Sequence, residues 1–218
     1  MHKETYFTPE TIRQKSIEIL TVLDGLRKRH EDIAFEPRRA ALLVLDMQEY
    51  FLQQSSHAFV PSAPAIIPII QMLINCFHAN RQPVIFTRHI NTPENAGMMS
   101  RWWRDLLRSG TPEGRISPLL DSSDGIVVQK SQYDAFYQSE LEQILRSNEV
   151  EQVVITGVMT HLCCETTARS AFVCGFEVFF TVDGTATYIE SFHRATLQNL
   201  AHGFAVPVLS EEIIRGFE

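Results

Sequence analysis

Residues 152–172 read QVVITGVMTHLCCETTARSAF. The stretch opens as a short apolar run, stops at Gly157, and then changes period. From Cys164, steps of four, seven and eight reach Ala168, Ala171 and Phe172, an apolar helical face. From Cys163, steps of four and seven reach Thr167 and Ser170, a more polar face. A short apolar strand, a glycine and an amphipathic helix make one unit of an α/β fold, and the spacing turns Cys164 inward and Cys163 toward the rim.

Reading outward, the same alternation repeats. Strand candidates end at Asp46 (AALLVLD), His89 (PVIFTRH), Lys130 (GIVVQK), Gly157 (QVVITG), Asp183 (FEVFFTVD) and Ser210 (FAVPVLS). Helical patterns fall near 64–80, 98–108, 138–147, 163–174 and 190–202. Apolar strands alternating with helices predict six strands in a doubly wound, mainly parallel sheet. Ahead of them, Thr8 as N-cap, Pro9 at the first helical position and Ile12, Ile19, Leu20, Leu23 and Leu26 predict an N-terminal helix. The FEPRR linker near 35–39 divides the chain into an arm, 1–35, and a main domain, 36–218.

Open α/β sheets bind ligands beyond the carboxyl edge of their strands. Here that edge receives Asp46, Arg88 with His89, Lys130, Thr156 and Asp183, with Cys163 just past it. A thiol at a helix N-terminus and near a lysine is expected to ionise more readily than a free one, whose pKa is ~8.5. A carboxylate can take and return its proton, and backbone N–H groups of the same turn can hold an oxyanion. Asp46, Lys130 and Cys163 would therefore suffice for a nucleophilic hydrolase. Asp183 reads as a cap of the loop that follows it.

Bulk properties bound the remaining classes. The 218 residues carry a net charge of -7, which argues against nucleic acid or an anionic membrane as partner. The densest apolar stretch, APAIIPIIQMLINCF, is too short to span a bilayer and contains Pro68 and Asn75. The N-terminus lacks a signal-peptide core, and four cysteines with two adjacent do not form a disulfide framework. The expected compartment is the cytoplasm.

Three motifs in order, AFEPRRAALLVLDMQEYF, KSQYDAF and ITGVMTHLCCETTARSAF, resemble the isochorismatase-like cysteine hydrolase superfamily over about residues 33–214. The resemblance implies a three-layer α/β/α sandwich with a Rossmann-like sheet, commonly assembled as a dimer or tetramer. It implies Asp46 as general acid/base, Lys130 as the charge that orients the site, and Cys163 as nucleophile. It also implies a cis peptide at Val158–Met159 and an oxyanion hole from the N–H groups of Met159 and Cys163. The chain departs from the siderophore- and phenazine-pathway isochorismatases, which carry Gly at Cys163, Gln at His89, Arg close to Ala96 and Tyr at Met159. It departs from the nicotinamidase branch too, since TRHINTPENAG lacks an Asp-x-His metal motif. The expected activity is hydrolysis of a C–N bond in a small amide, with no metal and no cofactor. The rivals are vinyl-ether hydrolysis of isochorismate and a non-catalytic interaction protein on the same fold. Pocket candidates are Gln48, Phe51, Arg88, His89, Trp102, Trp103, Tyr133, Phe136 and His161. The Trp102–Trp103 segment reads equally as a lid or as a subunit contact.

Overall fold

The computed structural model describes residues 2–218. Helix α1 (Ile12–Arg27) precedes β1 (Ala40–Leu45), α2 (Glu49–Leu52), α3 (Ala63–Ala79), β2 (Val84–His89) and α4 (Met99–Trp102). Then follow β3 (Ile126–Lys130), α5 (Leu141–Ser147), β4 (Gln152–Val158), α6 (Glu165–Val173), β5 (Glu177–Ala186), α7 (Glu190–Gly203), β6 (Val206–Val208) and α8 (Ser210–Arg215). The six strands pair in the order β3-β2-β1-β4-β5-β6, all parallel. Strand order reverses between β1 and β4, and right-handed crossovers on the two sides of that point place helices on opposite faces. Accordingly α3 packs with α8, while α7 packs with both α1 and α6.

The central strands are buried along their whole length, Ala40–Leu45 and Gln152–Val158 without a break, which is why they read as continuous apolar runs. Strand β3 lies at the edge and leaves Ile126 and Val127 partly exposed. Strand β5 runs three residues past the Asp183 end expected from its sequence, with a register shift against β4 between Ile155 and Gly157. Gly157 sits at φ +110, and a Cβ there would overlap the Leu45 carbonyl of β1. Only glycine lets the two strands that flank the switch point lie this close.

Four expectations are corrected. The first helix begins at Ile12 rather than Pro9, because Thr8 closes a turn instead: its carbonyl accepts from Thr11 N–H (3.1 Å) and Ile12 N–H (2.9 Å). The helix expected at 98–108 stops at Trp102. Beyond it the backbone groups bond across to other segments, Asn91 N–H to Leu107 O (2.6 Å), Tyr50 N–H to Glu113 O (3.0 Å) and Glu49 N–H to Arg115 O (3.0 Å). These long-range partners replace the helical ladder. Asp183 caps no adjacent loop: its carboxylate accepts from Ser210 N–H (2.9 Å) and Ser210 Oγ (2.6 Å), holding the start of α8. Phe172, expected on the buried face of α6, is half exposed against Phe204, while Ala168 and Ala171 are fully buried.

The N-terminal segment shares the core of the main domain. Tyr6 and Phe7 are buried, and Tyr6 Oη accepts from Thr187 N–H at 2.9 Å.

Gly157→Ala is expected to destabilise the protein by more than ~1 kcal/mol, because a Cβ is both conformationally strained and sterically blocked there. Urea denaturation of the variant checks this; a midpoint equal to wild type would show that β1 and β4 can separate without cost.

Candidate functional site

Strand ends bring the three candidate catalytic side chains together. Asp46 follows β1, Lys130 ends β3, and Cys163 lies in a five-residue π-helical turn, Thr160–Cys164, between β4 and α6. Lys130 Nζ stands 2.7 Å from Asp46 Oδ2, with both side chains fully buried. The same ammonium lies 3.5 Å from Cys163 Sγ and donates to the carbonyls of Gln132 (2.9 Å) and Tyr133 (3.2 Å). Asp46 adopts φ +50, a left-handed conformation that costs a non-glycine residue on the order of 1 kcal/mol. Thr87 offsets that cost. Its Oγ1 accepts from Asp46 N–H (3.0 Å) and donates to Oδ1 (2.7 Å).

Two elements lock the lysine loop to the cysteine turn. Thr167 Oγ1 accepts from Ala135 N–H (3.1 Å), and Ser170 Oγ donates to Asp134 Oδ2 (2.7 Å). The polar face of α6 seen in the sequence therefore docks on the SQYDAF segment rather than on solvent. Cys164 is fully buried on the other face of the turn, its sulfur 4.0 Å from Thr156 O. The Val158–Met159 peptide just upstream is cis.

The electrostatics follow from burial and from the ion pair. Burial is the largest influence and opposes ionisation of Asp46, but the Lys130 ammonium, His89 and the Cys163 thiol together outweigh it and hold the carboxyl below its ordinary range. Lys130 is likewise opposed by burial and kept charged by Asp46, its pKa raised. Cys163 behaves opposite to the sequence expectation: burial first, then the Asp46 charge, push the thiol up to about 12, and Lys130 only partly compensates. The helix-terminus argument failed because the sulfur is withdrawn from water and faces a carboxylate. His89, desolvated and near Lys130, is held neutral with a pKa of about 4.

Cys163 forms part of the wall of a narrow cavity. Phe51, Trp103 and Tyr133 line it as expected pocket candidates, with His89. Trp103 Nε1–H donates to Tyr133 Oη at 2.8 Å, joining two of these walls. Tyr50, Asn91, Leu106, Leu107 and Met159 complete the lining with Asp105. Of these, Met159 was already expected at the site as an oxyanion-hole residue, and Asn91 was legible as the next period-two position after Thr87 and His89; Tyr50, Asp105, Leu106 and Leu107 depend on how loops fold back.

Five pocket candidates stand elsewhere. Gln48 is buried as a bridge, accepting from His89 N–H (2.8 Å) and donating to the carbonyls of His89 (3.1 Å) and Gly114 (3.0 Å). Arg88 points to the opposite face of β2 from His89, toward Gln129. Trp102 is 76% exposed, since the chain becomes extended at Trp103 and the two indoles diverge. Phe136 packs on Phe176, with ring centroids 5.9 Å apart. His161 bonds Thr187 Oγ1 at 2.6 Å and stacks on Phe192.

The residues do not fit a metal centre. Among the described residues no three His, Cys, Asp or Glu side chains cluster as ligands, and His89 is paired to the amide oxygen of Asn91 at 2.8 Å.

A family model for the isochorismatase domain matches residues 40–212. The chain belongs to this family of hydrolases, which act on small molecules. Nicotinamidase 3 of Arabidopsis thaliana is 39% identical over 181 residues, 81% of this chain and 87% of that protein. Enterobactin synthase component B of Escherichia coli is 32% identical over 84% of this chain and 65% of its own length. A cysteine hydrolase from Pseudomonas syringae pv. phaseolicola superposes with a TM-score of 0.80 at 26% identity, over 84% of this chain and 94% of its own. Among the described residues no helix is long and apolar enough to cross a membrane.

Two outcomes are expected. Iodoacetamide on the native protein should modify Cys163, which lines the cavity, and spare Cys164, which does not; peptide mapping that finds Cys164 labelled first would reverse the face assignment. The second concerns acid. His89, at about 4, and the fully buried His193, at about 3, are both depressed by desolvation below the ordinary ~6.5. Their stability is therefore intact above pH ~6.5 and is lost as pH falls toward those values, by up to ~1.4 kcal/mol per pH unit for each. Urea midpoints at pH 7, 6 and 5 should decline accordingly, and His193→Gln should flatten the decline.

Proposed function

We propose that this protein hydrolyses the C–N bond of a small, planar, uncharged amide through an acyl-enzyme on Cys163. The observation that carries the reading is the placement of Cys163 at the cavity wall, 3.5 Å from an ammonium whose counter-ion is a fully buried carboxylate. A nucleophile, a base and a fixed positive charge converge where a carbonyl can enter.

The steps follow from the charges. As Sγ attacks the carbonyl carbon, the thiol proton passes to ionised Asp46, so thiolate forms only as the S–C bond does. Lys130 stabilises the negative charge passing through sulfur. The N–H groups of Met159 and Cys163 receive the carbonyl oxygen of the tetrahedral intermediate. Asp46 then gives its proton to the nitrogen, the C–N bond breaks, and the amine leaves. Water attacks the thioester and gives a proton to Asp46; as the S–C bond breaks, Asp46 passes that proton to the departing sulfur, so the carboxylic acid is released, the thiol is restored and Asp46 is ionised again.

The lining supports the substrate class. Aromatic side chains dominate it, and among the described residues that line it there is no lysine or arginine, while Asp105 is present. Isochorismate is a dicarboxylate, and a wall without cations and with a carboxylate disfavours it. The similarity to a nicotinamidase adds a relative whose name is that of an amide hydrolase.

Turnover of a panel of small amides and isochorismate by three variants tests the proposal. Cys163→Ala and Asp46→Asn are both expected to fall to background on the amide, a loss of several kcal/mol in transition-state stabilisation. A fully active Cys163→Gly enzyme would sink the covalent mechanism and move the assignment to vinyl-ether cleavage, in which Asp46 protonates carbon and no nucleophile is needed.

A further inference from the structure

Lys3 to Phe7 precede the residues that the family model matches, yet they bond to the loops beside the cavity. Lys3 Nζ donates to the carbonyls of His57 (2.7 Å) and Phe59 (2.6 Å) and lies 4.1 Å over the Tyr188 ring. The N–H groups of Tyr6 (3.0 Å) and Phe7 (3.1 Å) donate to Ser62 Oγ. The loop held in this way, 53–62, carries His57 to the mouth of the cavity. There its Nε2 lies 3.1 Å from Tyr50 Oη and its Nδ1 3.3 Å from Asp105 Oδ2. Tyr50 and Asp105 both line the cavity, from segments more than fifty residues apart, and His57 itself does not.

We propose that His57 is a positioning residue for this site: it ties the Tyr50 wall of the cavity to the Asp105 wall, and Lys3 of the N-terminal segment secures it from behind. The Asp105 segment is the one that left helical structure after Trp102, so it has no ladder of its own to fix its distance from α2. Its neighbours Trp103, Leu106 and Leu107 line the same cavity. Its flanks are tied elsewhere, Trp103 to Tyr133 and Leu107 to Asn91, so the link at Asp105 is the side-chain tie that adjusts its distance from Tyr50. Both partners are partly exposed, 34% for His57 and 57% for Asp105. An exposed pair of this kind contributes up to about five-fold in an equilibrium constant, which sets the size of the effect.

The KM arm of the test rests on the proposed amide hydrolysis; the labelling arm does not. His57→Ala is expected to raise KM about five-fold with kcat within about two-fold, and to speed alkylation of Cys163 by iodoacetamide by a similar factor. Lys3→Met should shift both in the same direction by a smaller factor. Asp105→Ala approaches the link from its other end. In a double-mutant cycle the His57→Ala/Asp105→Ala protein should label no faster than the faster single variant, because each change removes the same link. Urea midpoints should match wild type throughout, which separates the effect from general loosening. Additive effects in the cycle, or a His57→Ala enzyme with the wild-type labelling rate, would overturn the proposal. If no amide is turned over, the amide reading falls and the labelling cycle still decides the role of His57.

Discussion

The buried pair of Asp46 and Lys130 is the constraint on which the rest of the site depends. Two charges at 2.7 Å with no solvent exposure are costly to desolvate, and the pair is tolerable only with its remaining donors and acceptors satisfied. The surroundings supply most of those partners, while Asp46 Oδ2 has the Lys130 ammonium alone. Thr87 takes Asp46 Oδ1, and the carbonyls of Gln132 and Tyr133 take the remaining Lys130 protons. Because Asp46 follows β1 and Lys130 ends β3, the pair also spans β2 and fixes the loops after all three strands. Removing either partner would strand the other charge, a loss of about 3–5 kcal/mol in comparable buried pairs. Activity lost in a Lys130 variant would thus mix chemistry with folding.

The pair also accounts for the shape of the cavity. Lys130 draws the Gln132–Tyr133 backbone inward, and α6 holds the same segment through Thr167 and Ser170. Tyr133 is thereby fixed as a wall, and its hydroxyl accepts from Trp103. The ammonium beside Cys163 and the aromatic wall of the cavity are one connected structure. A substitution in Trp103 or Tyr133 acts on a wall whose backbone the ion pair positions.

The sequence revealed those features that local chemistry controls. Parallel strands buried on both faces must be apolar throughout, so AALLVL and QVVITG were legible, and with them the rim that receives Asp46, Lys130 and Cys163. At residues 163 and 164 both sulfurs are buried, but Cys163 lines the cavity and Cys164 does not, while Phe172 on the same spacing as Cys164 is half exposed. The segment after Trp102 was not legible, since its backbone partners lie at Asn91, Glu49 and Tyr50. For the same reason Trp102 and Trp103 could not be told apart, nor Asp105 and Leu107 placed in the lining. Arg88 and His89 were separable by strand alternation, but only once Thr87 was known to reach Asp46.

The thiol shows where sequence reasoning about ionisation stops. A nearby lysine and a helical turn are visible in the sequence, and both favour thiolate. Desolvation is not visible, and neither is how closely the sulfur faces the Asp46 carboxylate. Here burial and the Asp46 carboxylate win, and the thiol rests protonated with a pKa of about 12. That resting state has a consequence for any chemistry at Cys163. A carboxylate held below its ordinary range is a weak base toward such a thiol, so a stable thiolate would lie uphill. The transfer becomes favourable only as the carbon–sulfur bond forms and the negative charge moves from sulfur to the substrate's oxygen. The fixed dipoles of the Met159–Cys163 turn then matter more than the acidity of the free thiol. The same arrangement protects the resting sulfur, because a buried neutral thiol is a poorer target for oxidation than an exposed thiolate. In the proposed reaction it is the incoming carbonyl that would draw the sulfur into its reactive state.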